Sequence, residues 1–363
     1  MTEMSFSWWH WLVFTVIIIA CVLLVVIVMV TMERRFIGFF QGRHGPNRTG
    51  PFGIFQLIAD GIKGMLKEDI IPDRADKLVY WLAPIITFFP TFLLFAVIPF
   101  GDRAMLADLN VGILFFLAVG SLSTIGIFMA GWSSNNKYAV ISAIRVVASV
   151  VSYEIPVILS VVGVILISGS LSLNQIVVGQ TVPYILYQPL GFVLFFIGGC
   201  AEVSRSPFDL MEADSEIVAG YHTDYSAMKY LAFMIAEYCE ALGIAAVIAV
   251  FFLGGWKGPW LMPWLWLLIK IFIIFFVMIW IRATIPRVRI DQLMALAWKF
   301  LLPLSIINLV VTGIEVLIWP NGFPWMAIPI NIVIMAVLIL LWSTFFKLGW
   351  GKVETGKIRD RYC

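Results

Sequence analysis

Uninterrupted apolar blocks constrain this chain more than any other feature. "WLVFTVIIIACVLLVVIVMV" starts at Trp11 and "WLLIKIFIIFFVMIWI" at Trp266. A helix that crosses the hydrocarbon layer needs about 20 apolar residues. Blocks of that order recur at about 11–31, 79–99, 111–132, 146–168, 185–203, 230–253, 265–284, 299–319 and 327–346. With 61% of residues hydrophobic and a mean hydropathy of +0.98, no single soluble core would enclose them. The expectation is an all-α polytopic membrane protein of about nine transmembrane helices. No Lys or Arg precedes the first block and no small-residue cleavage pattern follows it, so it reads as a retained span rather than a signal peptide. With no repeat, low-complexity tract or linker, residues 1–363 form one integral membrane domain.

The bases give the orientation. Of 24 Lys and Arg, 21 lie on one set of alternate connections and in the C-terminal tail; Arg103 and Lys257 lie on the other side, and Lys270 lies inside a block. The positive-inside rule then places the N-terminus outside and the C-terminus in the cytoplasm. The charged connections 32–78 and 204–229 and the stretch "RATIPRVRIDQLM" also face the cytoplasm. Trp8, Trp9, Trp11, Trp256, Trp260, Trp319 and Trp325 suit the outer aromatic belt. Membrane lipid is an expected neighbour and nucleic acid is not. Cys21, Cys200, Cys239 and Cys363 show no metal-binding spacing, and His10, His44 and His222 form no pair suited to haem. No redox centre is expected in this chain.

Within 32–78, "GPFGIFQLIADGIKGMLKED" is too polar to span. Pro51 suits a first helical turn, and Phe55, Ile58, Ile62 and Met65 share one stripe while Asp60, Lys63 and Lys67 share another. Periodicity admits a helix on the membrane surface or one packed in the cytoplasm. Residues 201–225 concentrate six acids, Glu202, Asp209, Glu212, Asp214, Glu216 and Asp224, around a single base, Arg205.

Other acids fall inside the spans. Glu154 lies some 12 Å along its span at about 1.5 Å per residue, and Glu237 and Glu240 share a helix face about 10–15 Å into theirs. Glu202 closes the fifth span. Carboxylates at such depth face the protein interior or a wet cavity and usually serve ion or substrate passage. The blander alternative is structural pairing with Arg145, Arg205, Tyr153 or Tyr238. Lys270 and Glu315, near outer span ends, can simply snorkel.

Several stretches occur together: "ERRFIGFFQGRHGPNRTGPFG", "QLIADGIKGMLKED", "GWSSNNKYAVISAIR", "SYEIPV", "AEVSRSPFDLMEADSEIVAGYHTDYSAMKY", "FFLGGW" and "IRATIPRVRIDQLMALAWKFLLPL". Over roughly 30–320 the chain resembles the H-subunit family of bacterial proton-pumping NADH:quinone oxidoreductase (respiratory complex I), the counterpart of mitochondrial NADH dehydrogenase subunit 1. The resemblance implies an eight-helix core to about 320, with a ninth helix and basic tail over 321–363 as an extension. It also implies ubiquinone or menaquinone as substrate, bound where the membrane arm meets the peripheral arm. The implied partners are other membrane-arm subunits and the iron–sulfur and quinone-site subunits of the peripheral arm, which deliver the electrons. The implied location is the bacterial inner membrane.

By position, the resemblance assigns Glu33, Arg34, Arg43, Asp60, Arg282, Arg287 and Arg289 to the quinone cavity. It assigns Glu154, Glu202, Glu237, Glu240, Asp209, Glu212, Asp214 and Glu216 to proton relay or coupling. Leu57, Met211, Asp214, Ser149 and Ile290 depart from the family pattern, the last two beside expected quinone contacts. The acidic loop admits two roles, coupling quinone charge to the intramembrane glutamates or docking basic partner surfaces. A related membrane subunit of an energy-converting hydrogenase or formate hydrogenlyase is the nearest alternative function. A proton-coupled solute transporter would call for an inverted repeat, which the sequence lacks.

Overall fold

The computed structural model describes residues 8–102, 104–209, 220–320 and 324–345. Every regular element among them is helical: α1 (Trp8–Phe40), α2 (Gln56–Leu66), α3 (Lys77–Leu93), α4 (Gly112–Ser133), α5 (Lys137–Ser168), α6 (Leu173–Gly179), α7 (Tyr184–Tyr187), α8 (Pro189–Glu202), α9 (Ala227–Phe252), α10 (Pro263–Thr284), α11 (Ile290–Ala295), α12 (Leu302–Ile318) and α13 (Ala327–Phe345). A π-helical turn, Leu296–Leu301, joins α11 to α12, so Ile290–Ile318 is one long rod. Eight helical stretches are long and apolar enough to cross a membrane. The protein is an integral membrane protein.

The expected fifth span differs from the rest. Residues 185–203 are mostly apolar, yet the helix breaks at Gln188, and Pro189 starts α8 afresh. Proline belongs in a first turn because its missing N–H is not needed there. With 14 residues, α8 is roughly 21 Å long at 1.5 Å per residue. Its last residue, Glu202, therefore stops inside the bundle, and the chain runs on through buried Val203, Ser204 and Arg205.

The core surrounds α9, which packs against α1, α2, α3, α6, α8 and α10. From Ala241 to Phe252 every α9 residue is buried, the mark of a helix apolar on all sides and enclosed by others. Its final carbonyls, left without intrahelical donors, are met by side chains. Gln180 Nε2 donates to Val250 and Phe251, each at 2.9 Å. Lys270 Nζ donates to the carbonyls of Leu253, Gly255 and Lys257, each at 2.7 Å. Lys270 thus caps α9 and does not snorkel.

α2 lies where the amphipathic pattern predicts a surface helix, beginning after a separate short turn over Pro51–Gly53. Phe55, Ile58, Ile62 and Met65 all remain exposed. An uncovered apolar stripe fits a helix resting on a membrane surface better than one packed into protein.

Candidate functional site: a buried charge knot and a row of carboxyls

Arg205 is the hub. Left by the short α8 inside the bundle, it is only 4% exposed. Its Nη1 donates to both carboxylate oxygens of Glu33 on α1, at 3.0 and 2.9 Å. Arg282 of α10 donates to the same carboxylate, and the Tyr238 hydroxyl hydrogen-bonds it as well. On its other edge, Arg205 Nε lies 3.4 Å from Glu237 Oε1. The guanidinium stacks over the Tyr238 ring at 4.2 Å from its centroid, with Phe275 at 6.0 Å. Two cations and two carboxylates balance within an aromatic wall. Burying any one alone would be costly, so the four stand or fall together.

A second group of acids leads away from this knot. Glu240 is one turn beyond Glu237 on α9 and within electrostatic reach of both Glu237 and Glu202. Glu202 is in turn within reach of Glu154 on α5. α4 forms the facing wall: Ser123 sits beside Glu240, and Gly120 lies near Glu202, where an added Cβ would come 3.8 Å from its Oε1. Glu202 Oε2 and Glu240 Oε1 have no hydrogen-bond partner among the described residues. The four glutamates expected to act together therefore form a succession, Glu237, Glu240, Glu202, Glu154, attached at one end to Arg205. The blander expectation, pairing with Arg145, Arg205, Tyr153 or Tyr238, is met at Glu237, which lies beside Arg205.

The remaining expected residues spread over the charged end of the bundle. Arg34 donates to Asp60 at 2.6 Å, tying α1 to α2, and Gln56 and Lys63 flank the same carboxylate. The hydrogen bond from Arg34, opposed by partial desolvation, holds the Asp60 carboxyl below its ordinary range. Arg43 is exposed and donates to Gln41 at 2.7 Å. Arg287 Nη2 lies 3.3 Å from Asp209 Oδ1, and Val288 N–H donates to Pro207 O, so the segment before α11 clamps the start of the acidic loop. Arg289 is exposed beside that clamp. Glu212, Asp214 and Glu216 lie outside the described residues, as does the basic tail.

Sequence reasoning named Arg205 only as a possible counter-ion, although a lone base among six acids was the available signal. It missed Ser123, a small residue that shows its use only when α4 is placed against α9.

A family model described as NADH dehydrogenase matches residues 13–313, most of the chain. The chain belongs to this family. The H subunit of NADH-quinone oxidoreductase from Dehalococcoides mccartyi (strain CBDB1) is 56% identical over 351 residues, covering 97% of this chain and 99% of that protein. The H subunit of NADH-quinone oxidoreductase from Bacillus thuringiensis (strain Al Hakam) is 45% identical over 317 residues, 85% of this chain and 95% of that protein. As a member of the H-subunit family, the chain is a membrane subunit of an oxidoreductase complex. The family match spans α1 to most of α12, so it contains the whole knot and the glutamate row.

Proposed function

We propose that this chain walls the membrane side of a quinone-reducing site and converts the charge change there into proton movement through Glu237, Glu240, Glu202 and Glu154. The observation that carries this reading is the succession of groups within electrostatic reach of one another, from Arg282 and Glu33 through Arg205 to the four glutamates. Ubiquinone or menaquinone is the substrate, and Arg34, Arg43, Arg282, Arg287 and Arg289, with Glu33 and Asp60, rim its approach. Iron–sulfur subunits of a peripheral arm supply the electrons at the charged end. In this reading the charged end faces the cytoplasm of a bacterial inner membrane, the N-terminus lies outside and the C-terminus inside. α13 and the tail extend an eight-helix core.

Reduction makes the quinone site transiently more negative, and that charge competes with Glu33 and Glu237 for Arg282 and Arg205. A Glu237 whose arginine is drawn away holds a proton more readily. It takes one from Glu240, which refills from Glu202 and Glu154. A carboxyl without fixed partners is suited to such exchange, because neither protonation state breaks a strong bond. Glu240→Gln and Glu154→Gln keep side-chain shape and remove the titrating proton. In assembled complexes, quinone reduction and proton uptake should fall together, by about 10²-fold if proton transfer becomes limiting. Variants with unaltered rate and proton stoichiometry would remove these residues from the mechanism.

A further inference from the structure

The glutamate row ends at Glu154 on α5, but buried polarity continues along α12. Ser305, Asn308, Thr312 and Glu315 are all buried, and their spacing sets them on one helix face. The opposite face carries Ile306, Val310, Ile314 and Leu317, all exposed. Polar side chains between helices in lipid commonly hydrogen-bond across the interface, but this face leaves buried amide atoms without such bonds among the described residues. We propose that this face is the outer half of a proton path, a hydrated file that ends at Glu315 and opens the glutamate row to the membrane face opposite the charged connections. The inference rests on the relay reading above.

Two neighbours close the file. Gln188, at the break before α8, donates through Nε2 to Thr312 Oγ1 at 2.7 Å, and Thr312 donates to the Asn308 carbonyl at 2.8 Å. Asn331 of α13 donates to the Tyr187 carbonyl at 2.6 Å and to Glu315 Oε2 at 3.3 Å. Glycines make the space: a Cβ at Gly163 would lie 2.8 Å from Gln188 Nε2, and one at Gly191 would lie 3.2 Å from Gln188 Oε1 and 3.4 Å from Asn308 Nδ2.

Three buried amide atoms along this file, Gln188 Oε1, Asn308 Nδ2 and Asn331 Oδ1, have no hydrogen-bond partner among the described residues. Each would cost about 1–3 kcal/mol if left dry. They comprise two acceptors and one donor, and water can satisfy both kinds in a site of this polarity. The start of the file is level with the end of the row. Trp298 Nε1 donates to Ser152 Oγ at 3.2 Å, pinning the rod to α5 just before Glu154. α5 and α12 pack together and run the same way, so Ser305 follows Glu154 towards the opposite end. Glu315 sits in the last turn, its carbonyl accepting from Trp319 N–H at 2.9 Å. The step is proton exchange alone: Glu315 gains an O–H from the file and gives its proton to water at the membrane face.

Two measurements on the assembled oxidoreductase in sealed vesicles test this. Thr312→Cys, in a Cys21→Ser background, should react with a small membrane-impermeant thiosulfonate applied from the outer side about tenfold faster or more than buried Cys239, a difference of about 1.4 kcal/mol in barrier. Equal, slow labelling would mean a dry helix join and overturn the file. Glu315→Gln should lower the number of protons moved per electron, and Glu315→Asp should recover part of it, which a packing role would not predict. A Glu315→Gln enzyme with unaltered stoichiometry overturns the proposal. If Glu154→Gln is then impaired, only the outer path fails; if it too is unaltered, the relay reading fails with it.

Discussion

Arg205 holds together side chains from α1, α9 and α10, and its loss would act on all three at once. Arg205→Met would leave Glu33 with Arg282 and the Tyr238 hydroxyl, and Glu237 without Arg205. Breaking a buried ion pair from one side typically costs about 3–5 kcal/mol, so the assembled complex in detergent should unfold at a clearly lower temperature or denaturant concentration. Arg205→Lys should recover only part of this. An ammonium cannot reproduce the two-oxygen grip on Glu33 together with the approach of Nε to Glu237. A wild-type midpoint for Arg205→Met would show that Arg282 and Tyr238 suffice for Glu33. The carboxyls themselves were legible in the sequence, since depth and spacing alone set Glu154, Glu237 and Glu240 apart. The hub was not, because its geometry joins residues up to 249 positions apart, and no local pattern encodes such a meeting.

Among the elements, α2 depends most on a single exposed pair. Asp60 has its carboxyl held below the ordinary value by Arg34. A depressed folded value means that the stabilisation is fully present above the ordinary aspartate range and is lost as pH falls through the folded value. Hydrogen exchange of α2 amides should therefore be steady at neutral pH and accelerate only in strong acid. Asp60→Asn should show raised exchange throughout, with that acid dependence removed; an unchanged profile would assign α2 docking to α9 packing. The effect should be small, since both partners are substantially exposed. Element positions were largely readable from apolar length: α4, α9, α10 and α13 start and stop within a few residues of expectation. α1 and α5 run past their apolar blocks because a helix need not end where lipid does, and "MERRFIGFF" continues α1 to Phe40. The break before α8 does not show in apolar length, although Gln188 and Pro189 mark it once the element is seen.

For the whole molecule, the acidic connection decides between docking and coupling. Changing Asp209, Glu212, Asp214 and Glu216 together to Asn or Gln should, under the coupling reading, leave assembly intact, slow turnover and shift its pH dependence. Loss of the peripheral arm, made worse by salt, would instead mark a docking surface, because exposed pairs are screened within about 8 Å at physiological ionic strength. Finally, the short α8 has an electrical meaning. A bilayer's voltage falls across its low-dielectric layer, usually about 30 Å. At about 21 Å, α8 is shorter than that layer, so Glu202 at its end sits within the layer rather than at its far side. Under the proposed relay, a proton passed from Glu202 to Glu315 would cross part of that drop and work against a share of about 2.3 kcal/mol per 100 mV, so an energised membrane would push back on the chemistry along these few helical turns.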